Sequence, residues 1–177
     1  MSFKKLKEQI EKSEEFKKLK KEYPKSTLYS AFFMLRQAFG NLIIETQQLD
    51  YHIEGKKVAT LSFDEKENVQ RKVDEVEPAK PGEKQEFEKL DDVLIDVDDL
   101  QEIIKKELNK NKVGIEEVSK VIVILQKIKG KQVWNITCIS GLSLYRIHLD
   151  KEGKVLENKK ESILSMMKIE SGKGKKK

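Results

Sequence analysis

The chain has 177 residues, 37% of them hydrophobic and 38% charged, with a formal net charge of +5. That length suits one domain or two small halves packed together. Apolar runs at 28–35, 121–125 and 133–139 exclude a wholly disordered chain.

No stretch nears the about 18 apolar residues a membrane span needs, and residues 1–10 carry no signal-peptide core. Cys138 stands alone, so no internal disulfide can form. A cytoplasmic location is the expectation. Arg36, Arg71 and Arg146 are the only arginines, and a surface built from Lys and Glu is the bias shown by proteins of hyperthermophiles.

Residues 2–22 read as helix, with Ser2 as a cap. Phe3, Leu6 and Ile10 repeat at helical spacing, as do Phe16, Leu19 and Tyr23, but the two sets are out of phase around Ser13. A kink or a second cap is expected there. Pro24 ends the element.

Three strand-like runs follow at 28–37, 42–53 and 56–63, with turns at Gly40 and Gly55. Residues 64–90 then lose apolar content and carry Pro78, Pro81 and Gly82, so they read as a charged connector and the expected site of first proteolysis. Val69, Val73 and Val76 could supply a short edge strand within it.

A short strand is expected at 90–95 and a second helix at 98–110, capped by Asp98 with Gln101 completing a capping box. Strand runs at 119–128, 132–139 and 142–149 come next, with a short return at 154–156. Residues 116–126 also fit helical spacing, but the β-branched run 121–124 favours strand. The tail 168–177, with five lysines and one glutamate, is expected to be disordered.

The fold expectation is therefore α+β. Antiparallel sheet, as one or two sheets, is packed by two main helices, and helix plus three strands occurs twice, at 1–63 and 91–167, folding as one unit. Ser30 to Gly40 parallels Ser119 to Gly130, and the stretch 49–58 ending in Gly55-Lys-Lys-Val parallels 146–155 ending in Gly153-Lys-Val.

The second half resembles PepSY-type and cystatin-like modules over residues 90–158, and the first half does so faintly over 1–63. The residues that carry this are Asp96-Val-Asp-Asp-Leu-Gln-Glu-Ile-Ile, then Val133-Trp-Asn-Ile-Thr, then Tyr145-Arg-Ile-His-Leu-Asp-Lys-Glu-Gly-Lys-Val-Leu156. The resemblance implies an antiparallel sheet packed by helices and a non-enzymatic inhibitory or regulatory role.

No motif for catalysis, a cofactor or a metal stands out. Cys138 could serve as a nucleophile only if His52 or His148 met it in space, and a buried, inert thiol is the simpler reading. His52 and His148 could meet as metal ligands only through the pseudo-repeat, without supporting spacing. Asp91, Asp92, Asp96, Asp98 and Asp99 lack the central glycine of a calcium loop and suit a helix N-terminus.

Trp134, Tyr145, Tyr51 and Phe39 are the candidates for an interaction surface, since aromatics dominate binding hot spots. The function expected is a non-catalytic protein-interaction or regulatory module, self-association included. The alternative is weak nucleic-acid binding through Lys-rich termini. Against that stands the charge layout: residues 64–102 hold fifteen acids and six bases, so the middle of the chain is acidic.

Overall fold

A computed structural model describes residues 2–78 and 80–167. Two short helices, α1 (Phe3–Glu11) and α2 (Glu14–Glu22), open the chain. Four strands follow: β1 (Thr27–Ala38), β2 (Asn41–Glu54), β3 (Lys57–Phe63) and β4 (Val69–Glu75). After helix α3 (Leu100–Lys110) come β5 (Lys120–Ile128), β6 (Lys131–Ser140), β7 (Ser143–Asp150) and β8 (Val155–Ser162). Single 3-10 turns at Val97–Asp99 and Ile115–Glu117 flank α3.

The eight strands form one sheet in the order β4-β3-β2-β1-β5-β6-β7-β8, antiparallel throughout. Each half is thus a four-strand meander rather than three strands. The two meanders join where β1 pairs with β5 from Ser30↔Gln126 to Arg36↔Lys120. β4 and β8 are the edge strands. With water at their outer edge they carry charged residues, which protect an edge from mispairing and also weaken the apolar alternation that marks a strand.

The phase shift at Ser13 is a true break. The Ser13 hydroxyl donates to Ile10 O at 2.6 Å, closing α1, and accepts from Phe16 N at 3.2 Å, opening α2. The stretch 116–126 is mostly strand, not helix, as its β-branched side chains favour.

The hairpin turns of the two meanders match in order. Phe39-Gly40 has φ 52° and 76°, and Lys129-Gly130 has 49° and 77°. Both central residues are left-handed, as a tight turn that follows the strand twist requires, and glycine fills the second place at little cost. In the third turn of each half an aspartate carboxylate accepts two backbone N–H groups, Asp64 from Lys66 and Asn68, and Asp150 from Glu152 and Lys154. Gly153 therefore occupies the place of Glu67, not of Gly55, which corrects the second of the two sequence parallels.

One continuous core fills a single face of the sheet. Leu6, Ile10 and Leu19 from the first helices and Leu100, Ile104 and Leu108 from α3 cover Phe33, Leu49, Leu61, Val121, Val123, Leu125, Trp134 and Ile147. Hydrogen bonds cross between the halves. The Asp96 carboxylate accepts from Phe3 N at 2.5 Å and from Val97 N at 2.6 Å, so it caps α1 and the 3-10 turn together. Asp96, with Asp99 returning to its N–H, is the capping residue in place of Asp98. Gln101 instead accepts Leu42 N at 2.8 Å. Residues 90–95 form no strand and touch the sheet backbone through Leu90 N to Leu28 O.

Glu107 ties α3 to the edge strand β8. It is buried at 2% exposure and accepts from Lys110 Nζ at 2.6 Å and Asn158 Nδ2 at 2.9 Å. Burial pushes its pKa up, but the hydrogen bonds from Lys110 and Asn158 and the lysine charge outweigh that and hold it below the ordinary 4.5. A carboxyl depressed on folding adds stability above its unfolded pKa and loses it as pH falls through the folded one. Glu107→Gln is therefore expected to cost about 1–3 kcal/mol at pH 7, with the gap to the parent chain narrowing as pH falls below the ordinary glutamate value. Urea midpoints measured against pH check this, and a gap independent of pH would contradict it.

Candidate interaction face

Helices α1, α2 and α3 cover one face of the sheet, and the side chains of the other face point away from them. At its centre four large apolar residues adjoin across the seam between the halves, with Phe32 opposite Ile124 and Met34 opposite Ile122. All four are half-buried by their neighbours, as expected on a sheet surface.

Polar side chains surround them. Gln48 and Thr46 lie beside Phe32 and Met34 on β2, and Asn135 and Thr137 lie beside Ile124 and Ile122 on β6. Further out polar groups pair within the face: the ions Arg36–Glu45 at 3.2 Å and Arg146–Glu161 at 3.1 Å, and His148 Nδ1 with the Glu157 carboxylate at 3.0 Å. Such exposed pairs add little stability, but they leave the rim without a strong field of one sign.

One corner of this face is closed by the segment that links the halves. Phe87 stacks on His52 with ring centres 4.1 Å apart and meets Tyr29 edge-on at 5.0 Å. Nearby, Asp50 accepts from Thr60 Oγ1 at 2.7 Å and Gln48 Nε2 at 3.2 Å. Its burial pushes the carboxyl pKa up, and burial together with the Asp50 charge pushes the Tyr29 hydroxyl up. Beyond Phe87, Glu88 accepts Gly130 N at 2.9 Å, and Gln132 accepts Asp91 N at 2.7 Å.

Of the four aromatics expected at an interaction surface, only Phe39 is exposed, in the β1–β2 turn beyond the edge of this face. Trp134, Tyr145 and Tyr51 are at 0%, 4% and 2% exposure in the core, which corrects that expectation. Strand parity is the reason. Trp134 pairs with Leu125 and Leu149, both core residues, so it shares their face. The residues at the centre of the open face went unselected. Their signal was the unbroken run Val121-Ile-Val-Ile-Leu, since a strand apolar at every position has two apolar faces.

The other constellations do not assemble. His52 on β2 and His148 on β7 are separated by four interstrand gaps, about 19 Å. Cys138 faces the core between Val121 and Tyr145, and burial pushes its thiol up to about 12, far from a reactive thiolate. Among the described residues no group of three or more His, Cys, Asp or Glu is placed to hold a metal ion, and no described helix is long and apolar enough to cross a membrane. A cleft of about 310 Å³ lies between α3 and the β1–β2 hairpin. Its lining is apolar apart from Asp98 and Gln101, and Gln101 is engaged with Leu42. The tail 168–177 lies outside the described residues.

No family model matches the chain, and no curated protein matches it. Among solved structures, the chain is similar to the crystal structure of a "putative lipoprotein" from Clostridium difficile 630, with 15% identity, a TM-score of 0.48, and coverage of 83% of this chain and 90% of that one.

Proposed function

We propose that this chain is a non-catalytic interaction module that docks a protein on the face of its sheet opposite α1, α2 and α3. The observation that carries this reading is the cluster Phe32, Met34, Ile122 and Ile124 ringed by amides, hydroxyls and self-paired ions. An apolar centre inside a polar rim is the anatomy of a protein interface. A regulatory role of the kind PepSY-type and cystatin-like modules suggest is compatible with it, as is a cytoplasmic location. The matched order of turns supports the further reading that the two helix-and-meander halves arose by duplication.

The test is affinity capture from a native extract treated with nuclease, comparing the parent chain with Ile124→Asp. Ile124 sits at the centre of the cluster, so the charge should abolish capture of a specific protein while circular dichroism stays unchanged. Capture that survives the substitution would remove the face from the binding account. Capture that vanishes on nuclease treatment, or on removal of residues 171–177, would move the function to nucleic acid held by the four lysines deleted there.

A further inference from the structure

We infer that the occupant of the open sheet face is a second copy of this chain, packed sheet against sheet about a two-fold axis. The inference rests on the reading of that face as a docking surface and names its partner. Three observations carry it: size, the closure of other routes to self-pairing, and self-complementarity.

The sheet has eight strands and so seven interstrand gaps. At ordinary spacing the whole face measures about 34 Å across and about 23 Å along seven residues of strand, about 800 Å², and the segment around Phe87 already covers the end at which Ser30 and Asp50 are buried. The open remainder lies toward the lower end of the about 600–1,000 Å² that one partner contributes to a standard stable interface.

The other surfaces of the sheet are poor routes to a dimer. Helices occupy the opposite face. The edge strand β8 presents Lys159, Lys160 and Glu161, and β4 presents Lys72, Asp74 and Glu75. Charged edges resist strand-to-strand addition. Arg71 of β4 is in addition held by both carboxylate oxygens of Glu22 on α2, at 3.1 and 3.2 Å.

An isologous dimer needs a patch that complements itself. The register supplies one when the two-fold axis lies in the face and runs across the strands at the level of Phe33 and Val123. Residues one step above that level then meet those one step below. Phe32 meets Met34 of the other copy, Ile122 meets Ile124 and Thr46 meets Gln48, while further out the same axis sets Lys159 against Glu157 and Arg146 against His148. An axis along the strands would set Arg36 against Lys120, two like charges. A crossing angle of about 30° between packed sheets keeps the pairs at the seam and shifts those at β8, about 17 Å away, by about two to three residues.

Sedimentation velocity on the purified full chain tests this directly. A dimer is expected at about 10 μM, in the range of a modest standard-size interface. Ile124→Asp should weaken it by at least about a hundredfold, because it buries an unpaired charge at the centre. Phe39→Ser, in the exposed turn outside the face, should leave it unchanged. If Ile124→Asp fails to fold, the milder Met34→Gln and Ile122→Thr keep the test decisive, each expected to weaken the dimer by about tenfold or more. A chain that stays monomeric at about 100 μM, or a dimer indifferent to all three substitutions, overturns the inference. The two readings separate. A monomer that loses a captured protein on Ile124→Asp removes the second copy and keeps the docking face. A chain that neither self-associates nor loses captured protein removes both.

Discussion

Trp134→Ala is expected to lower folding stability by about 3–5 kcal/mol, the range for deleting a buried aromatic when its surroundings cannot collapse into the space. Trp134 is the largest of the fully buried side chains, and it sits on β6 between Leu125 of β5 and Leu149 of β7. Both neighbours are themselves fully buried and held in a central part of the sheet, so the gap persists. For a chain of this size the loss lowers Tm by on the order of 10 °C. Thermal and urea unfolding of the variant measure it. A cost below about 1 kcal/mol would mean that Trp134 lies at the surface.

Severing the chain in the linking segment is expected to leave a stable two-fragment complex, and neither fragment is expected to fold alone. The strand β4 and the anchored residues Phe87, Glu88 and Leu90 narrow the connector, among the described residues, from 64–90 to about 77–78 and 80–86. Limited proteolysis should cut there first. Each half alone would expose its side of the β1–β5 seam, where Ala31, Phe33 and Leu35 pair with Leu125, Val123 and Val121. The first half would also lose the Asp96 carboxylate that caps α1 from 93 positions away, and a unit of about 80 residues has little surplus stability to offset both losses. Separately expressed fragments split after Gly82 should therefore recover cooperative unfolding only on mixing. Fragments that each unfold cooperatively and ignore one another would make this a protein of two independent domains.

Much of the local structure was legible in short windows. The out-of-phase apolar triplets located the break at Ser13, and Gly40, Gly55, Gly130 and Gly141 located four hairpin turns. Edge strands were harder. β4 registered only as three spaced valines and β8 as a three-residue return, because an edge strand needs little apolar alternation and is protected by charge. Asp96 and Asp98 were equally good caps by local spacing. The distant N–H groups of Phe3 and Lys4 favoured Asp96.

The candidate site was the least legible part. Aromatic content pointed to Trp134, Tyr145 and Tyr51, and the fold placed all three in the core and left Phe32, Met34, Ile122 and Ile124 on the open face. Periodicity of two tells which residues of a strand share a face. It cannot tell which face the helices will cover, nor that β1 and β5 will pair and bring two apolar pairs side by side. By itself the sequence determined an α+β chain with antiparallel hairpins, because turns and helix caps are set by hydrogen bonds within a few residues. Only the tertiary structure decided the single eight-stranded sheet and its open face, because burial is settled by contacts between segments some ninety residues apart.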